Sequence, residues 1–110
     1  MFKQGDIVLV PFPYSDLTSS KQRPALIISN KYLNKTEDRI CCLITSNSSA
    51  QGLELTSKCF AEGKLPFQSV VKPQRIFTVN EKIIRKKLAT CTIEFHRQVL
   101  NLLHEYLKQE

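Results

Sequence analysis

The chain has 110 residues and a formal net charge of +6, from 16 Lys and Arg against 10 Asp and Glu. That length supports a single domain over residues 1–110 with one modest core, and the basic balance favours an anionic partner such as nucleic acid. No apolar run approaches the roughly 18 residues of a membrane span, and no basic stretch leads into an apolar signal segment, so a cytoplasmic protein with no membrane partner is expected.

Two segments open the chain. Gly5 to Tyr14 reads Gly-Asp-Ile-Val-Leu-Val-Pro-Phe-Pro-Tyr, and Gln22 to Ser29 reads Gln-Arg-Pro-Ala-Leu-Ile-Ile-Ser. Both are short apolar runs rich in β-branched residues and bounded by Gly, Pro or Ser, the pattern of core strands. The polar stretch from Ser15 to Gln22 is longer than a tight hairpin needs, and such loops carry function or are mobile. Arg23 precedes Pro24, whose ring forces an extended backbone before it, so the guanidinium leaves the scaffold from a defined place. A fixed guanidinium beside a polar loop suits phosphate recognition. The alternative is structural: Arg23 pairs with Asp16 or caps carbonyls.

Further on, Arg39 to Thr45 reads as a third strand, and the polar stretch after it closes on Gly52. Leu53 to Thr56 alternates like a half-exposed strand. Gln68 to Lys72 and Ile76 to Val79 read as two short strands interrupted at Pro73, which argues for an edge or a bulge. Asn80 caps a helical turn from Glu81 to Ile84, and Leu88 to Thr90 returns as a last strand. Thr92 then caps a helix in which Phe95, Val99, Leu100, Leu103, Tyr106 and Leu107 recur at three- and four-residue spacing, a stripe for core or dimer packing. The expected fold is mainly β (α+β): a small, strongly bent barrel of short antiparallel strands with a C-terminal amphipathic helix over its open side.

Few residues stand out chemically. Cys41, Cys42, Cys59 and Cys91 show no C-x-x-C or Cys/His ligand spacing, so no metal site is expected and they read as small hydrophobes in a reducing compartment. His96 and His104 fall about 80° apart around the terminal helix and read as helix-surface residues. Lys72, Arg75, Arg85, Lys86 and Lys87 form either a solvated basic face or a track for RNA. If strands two and three pair symmetrically about Asn34, Arg23 lies opposite Thr45. Opposed residues have Cβ atoms about 4.5 to 5.5 Å apart, so guanidinium and hydroxyl would reach one phosphate together. Outside that pairing Thr45 is an ordinary strand threonine.

The segments Gly5-Asp6-Ile7-Val8-Leu9-Val10, Arg23-Pro24-Ala25-Leu26-Ile27-Ile28-Ser29, Ile44-Thr45-Ser46, Ser69-Val70-Val71 and Ile76-Phe77-Thr78-Val79, taken in order, resemble the MazF/PemK toxins of type II toxin-antitoxin systems. The resemblance covers nearly the whole chain. It implies an SH3-like barrel, a homodimer, and sequence-selective endoribonuclease cleavage of single-stranded RNA, with messenger RNA the expected class and no metal or other cofactor. It further implies a cognate antitoxin that wraps the dimer and blocks the RNA site, with operator DNA bound through the antitoxin complex. Residue by residue, Arg23 and Thr45 match the family's catalytic arginine and threonine. RNA contacts fall on Tyr14, Asp16, Ser19, Ser20, Lys21, Gln22, Ser46, Gln74 and Arg75. One departure stands downstream: aligning on Thr78 puts Arg75 where the family carries glutamine and Phe77 where it carries arginine.

Cleaving RNA with its own 2'-OH requires a base for that hydroxyl, an acid for the departing 5'-oxygen, and stabilisation of a phosphorane gaining negative charge. A guanidinium with a pKa above about 12 suits the last role and acid catalysis, not the base. Thr45 is assigned a hydrogen bond to a non-bridging oxygen, and Asp16 is the candidate base. The alternative function is a non-catalytic binding module on the same scaffold that inhibits its target by contact, as the similarly folded gyrase poison CcdB does.

Overall fold

In a computed structural model that describes residues 1–13, 20–47 and 50–110, the apolar runs form seven strands and the terminal periodic segment forms a helix. The elements in chain order are β1 (Asp6–Pro13), β2 (Ser20–Ile27), the single turn α1 (Lys31–Asn34), β3 (Asp38–Thr45), β4 (Leu53–Leu55), β5 (Phe60–Gly63), β6 (Ser69–Asn80), β7 (Lys86–Cys91) and α2 (Ile93–Leu107). All strand pairs are antiparallel, in the order β4-β6-β3-β2-β1-β7-β5. The two edge strands are joined by only a tight turn at Ser57–Cys59, so the sheet curls into a nearly closed barrel.

The central strands are buried on both faces. Side chains alternate across a strand, so even-numbered Leu26, Cys42 and Ile44 join Ile7, Val71 and, from α2, Phe95 and Val99 in the main core. Their neighbours Ala25, Ile27 and Cys41 join Val8, Val10, Val79 and Ile84 in a second cluster on the opposite face. Each fully buried Val, Leu or Ile contributes about 1.5 to 3 kcal/mol, which is why these strands read as near-continuous apolar runs rather than alternating ones.

The segments on either side of Pro73 form one strand, not two. Cys42 pairs with Ile76 while the next residue, Leu43, pairs with Lys72. Pro73, Gln74 and Arg75 are thereby left over as a bulge. Proline cannot donate to the ladder, and a bulge is where a sheet interior accommodates it. Thr92 caps α2 by accepting the Phe95 N–H at 3.1 Å. Along the helix the apolar stripe divides: Phe95 and Val99 are buried, Leu103 is half-buried, and Tyr106 and Leu107 are exposed. His96 is not on the surface as the helical spacing suggested. Its ring is buried with Nε2 3.2 Å from the Ile27 carbonyl, the same oxygen that accepts the Gly5 N–H, because α2 leans across the end of β2.

Two buried charges tie the ends of the barrel. Gly5, at φ +93°, turns the chain so that Asp6, fully buried, accepts the Lys3 N–H at 3.0 Å and the Thr90 hydroxyl at 3.3 Å. The Lys3 and Lys87 ammonium groups lie 3.7 and 3.8 Å from the Asp6 carboxylate. Arg39 is 1% exposed. It donates to the carbonyls of Phe2, Thr36 and Asp38 at 3.0, 2.8 and 2.8 Å and to the Glu81 carboxylate at 2.6 Å, joining the N-terminus, the start of β3 and the turn after β6. The Gly-Asp pair and Arg39 therefore hold the fold together.

Removing one partner of a buried, hydrogen-bonded ion pair leaves the rest unsatisfied. Arg39→Ala is expected to lower stability by about 3 kcal/mol, read as a shift of the urea midpoint. Burial pushes the thiols of Cys41 and Cys42 up to about 12 and that of Cys91 up to about 11. At pH 8 a thiol-reactive disulfide reagent is therefore expected to leave these three unmodified until denaturant is added, and to react only with the half-exposed Cys59.

Candidate functional site

The pairing of β2 with β3 places the site. Ala25, Leu26 and Ile27 lie opposite Leu43, Cys42 and Cys41, the arrangement symmetric about Asn34. Continued by two residues, the same register carries Arg23 to Thr45, the last residue of β3. On one side Arg23 pairs with Val10 of β1, and on the other Thr45 pairs with Val70 of β6. Side chains alternate along a strand, so Arg23 shares the face of Ala25 and Thr45 that of Leu43, and Val10, Arg23, Thr45 and Val70 make a row on one face, one step beyond the last β2–β3 pair, Ala25 with Leu43. The next row is Val8, Ala25, Leu43 and Lys72, by the same pairings.

In these rows Val8, Val10, Ala25, Leu43 and Val70 are buried and form an apolar floor. Arg23, Thr45 and Lys72 are half-buried on it. The Arg23 Nε is shut away from solvent, so the stem lies along the floor, which limits the positions open to the guanidinium. The Thr45 hydroxyl oxygen accepts the Asn47 N–H at 3.1 Å. That bond occupies a lone pair and leaves the hydroxyl proton to be donated elsewhere. Lys72 has neither a hydrogen bond nor an ion pair among the described residues. Two cationic side chains and one oriented hydroxyl donor on a common face can bind a phosphodiester.

The other expected site residues are distributed around these rows. Ser20 begins β2 opposite Pro13, and Lys21 and Gln22 follow, opposite Phe12 and Pro11; Lys21 and Gln22 are exposed. Ser46 is exposed directly after Thr45. Gln74 and Arg75 are exposed on the β6 bulge, next to the point where β3 passes from Cys42 to Leu43. Tyr14, Asp16 and Ser19 lie outside the described residues. Phe77 packs its ring edge-on against Phe12 with centroids 5.0 Å apart; it holds the end of β1 over β6. Lys72 was visible in the sequence only as part of a basic face; carrying the Arg23–Thr45 register across β6 is the signal that brings it to the site. Neither histidine joins these rows: His96 is buried against β2, and His104 is exposed on the last turn of α2. Among the described residues, no three His, Cys, Asp or Glu side chains gather as a metal site, and no helix is long and apolar enough to cross a membrane.

The pattern of the PemK-like, MazF-like toxins of type II toxin-antitoxin systems matches residues 3–107. The chain belongs to that family. Solved structures agree on the fold. A MazE–MazF crystal structure (Form-III) from Deinococcus radiodurans matches with a TM-score of 0.74 at 22% identity, covering 99% of this chain and 98% of that one. An endoribonuclease in complex with its cognate antitoxin from a mycobacterial species matches with a TM-score of 0.67 at 16% identity, over 100% of both chains. The Mycobacterium tuberculosis toxin MazF-mt6 matches with a TM-score of 0.74 at 12% identity, over 96% of this chain and 98% of that one. No curated protein matches the chain in sequence. A MazF-like barrel is thus reached with about four-fifths of the residues different, as expected when buried, alternating positions specify a fold.

Burial lowers the pKa of His96, against a smaller opposing effect of the Ile27 carbonyl bond. A folded-state pKa below the unfolded value near 6.5 means that its stabilisation is complete above about pH 6.5 and is lost as pH falls through the folded value. The denaturation midpoint of this toxin is expected to drop on acidification below about pH 6.5, and His96→Gln, which keeps a donor for the Ile27 carbonyl, is expected to flatten that drop. An equally steep fall in the variant would assign the acid sensitivity to other groups.

Proposed function

We propose that this toxin is an endoribonuclease that cleaves single-stranded RNA without a metal ion, using the 2'-OH next to the scissile phosphate as nucleophile. The observation that carries the reading is the β2–β3 register, which directs Arg23 and Thr45 to one face over an apolar floor. The 2'-oxygen attacks phosphorus, the bond from phosphorus to the 5'-oxygen breaks, and the products are a 2',3'-cyclic phosphate and a 5'-hydroxyl. The phosphorane gains negative charge on its non-bridging oxygens, where donors fixed in advance on a poorly solvated surface act most strongly. The Arg23 guanidinium faces that charge and serves as a proton source for the departing oxygen. Thr45 donates its hydroxyl proton to a non-bridging oxygen. Asp16 is the candidate for taking the 2'-hydroxyl proton. Lys21, Gln22, Ser46, Gln74 and Arg75 are candidates to contact neighbouring nucleotides, with Ser20 at the start of β2 and Tyr14 and Ser19 in the β1–β2 connection.

The same basic face suits an acidic antitoxin segment that competes with RNA. The solved relatives include toxins held by their cognate antitoxins, and a cognate antitoxin is proposed here too. A homodimer in the cytoplasm, and operator DNA reached through the antitoxin complex, complete the reading.

Purified protein in EDTA is expected to cut unstructured RNA. Arg23→Ala is expected to slow cutting by at least about 100-fold, the scale of losing one pre-positioned donor to a developing oxyanion, with an unchanged thermal midpoint. RNA left whole by a wild-type protein that still arrests growth would instead establish the contact-inhibitor reading.

A further inference from the structure

We infer that Glu54 and Gln68 form a base-reading corner of this groove, selective for guanine in a nucleotide adjoining the scissile phosphate. The inference rests on the ribonuclease reading above and concerns which RNA is cut.

The strand pairing extends the site by one residue. Glu54 of β4 lies opposite Val70 of β6, and Val70 lies opposite Thr45. Glu54 therefore shares the face and the row of Thr45 and Arg23, two strands from Thr45, a separation of about 10 Å between backbones. Glu54 and Val70 also line a cavity of about 180 Å³, together with Ala50, Gly52 and Gln68. Residue 52 must be glycine for the chain to approach β6 this closely: a Cβ there would run into the Val71 carbonyl oxygen and come within 2.7 Å of Val70 Cγ1. The cavity is smaller than the roughly 300 Å³ at which sites for drug-sized ligands begin, and suits one planar ring system.

Its polar groups are few and oriented. Gln68 donates from Nε2 to Glu54 Oε1 at 2.8 Å. That bond fixes both side chains and leaves Glu54 Oε2 and the Gln68 carbonyl oxygen as acceptors. No lysine or arginine pairs with Glu54 among the described residues. A carboxylate left without a cation next to a site built for phosphate repels the RNA backbone, so its favourable partner is a base edge that donates. Adenine and cytosine each present one donor group beside an acceptor on the Watson–Crick edge, and uracil a single N–H between two acceptors. Guanine alone presents two adjacent donors, N1–H and the 2-amino group, and two adjacent donors match a carboxylate. Such pairwise matches discriminate against a wrong base by about tenfold or more.

The test is end-sequencing of fragments from a randomised RNA pool cut by wild-type protein and by Glu54→Gln, followed by cutting of one preferred oligonucleotide with inosine in place of the selected guanine. Wild type is expected to enrich guanine at one position flanking the cut and to lose about tenfold in rate with inosine, which lacks the 2-amino group. Glu54→Gln is expected to lose the enrichment and to cut the guanine and inosine substrates alike, with thermal unfolding confirming that this exposed edge position still folds. A wild type that cuts RNA with a base profile unchanged in Glu54→Gln would overturn this inference alone. RNA left whole by the wild type would overturn the ribonuclease reading and this inference with it.

Discussion

Because side chains alternate across a strand, the pairing of Ala25, Leu26 and Ile27 with Leu43, Cys42 and Cys41 decides two things together. It sends Leu26 and Cys42 into the main core and Ala25, Ile27 and Cys41 into the second cluster, and it sets which face receives Arg23 and Thr45. A slip of one residue would exchange the two sets. Both sets are buried, so the penalty for a slip falls on size and shape rather than on polarity alone: Ala25 and Leu26 would trade places in spaces already filled. The groove chemistry is thus held in register by packing beneath it, and the floor of Val10, Ala25, Leu43 and Val70 belongs to structure and function alike.

The buried charges serve the same end from the other side of the molecule. Arg39 draws the N-terminal strand approach, the start of β3 and the turn after β6 onto one guanidinium, and Asp6 draws β1 and β7 together through Thr90 and Lys87. Both act at the end of the sheet where β1 and β3 begin and β2 finishes, away from Arg23. A seven-stranded barrel of this length has little redundant core, and fixing one end of the sheet leaves the other to carry Arg23, Thr45 and Lys72. The ring contact of Phe12 with Phe77 ties β1 to β6 on the face that carries Arg23.

Much of this was legible in the sequence because it is local. The apolar runs marked the strands, Thr92 and Asn80 marked helical starts, and the symmetry of the hairpin about Asn34 marked the register. What was not legible depends on how elements meet. Pro73 announced a bulge or an edge, but that three residues are extruded from one continuous strand depends on the β3 partner. His96 is seven residues before Leu103 and falls about 20° from it around the helix, so the periodicity held the signal; that the ring is buried follows only from its contact with the end of β2. Arg39 is an ordinary first residue of a strand until three carbonyls converge on it. Lys72 and Glu54 join the groove only through β6, whose pairing no short motif records.

The division of labour in the groove follows from what a bent antiparallel sheet can supply. Opposed strand residues place two or three side chains within reach of one phosphate, and the buried floor keeps water from screening them. Such an array is good at fixing charge and donors, the term on which phosphodiester cleavage depends most. It is poorer at supplying a titrating base, because a group there must keep a pKa near neutrality while sharing a low-dielectric face with Arg23 and Lys72, and two neighbouring cations hold a carboxylate ionised and weakly basic. The one histidine near the barrel is spent on the Ile27 carbonyl. A base is therefore better brought in by a segment outside the sheet, and the β1–β2 connection that carries Asp16 starts three residues after Val10 and ends three residues before Arg23. On the proposed ribonuclease reading, the strands stabilise the transition state and carry the base-reading Glu54, and the β1–β2 connection moves the proton.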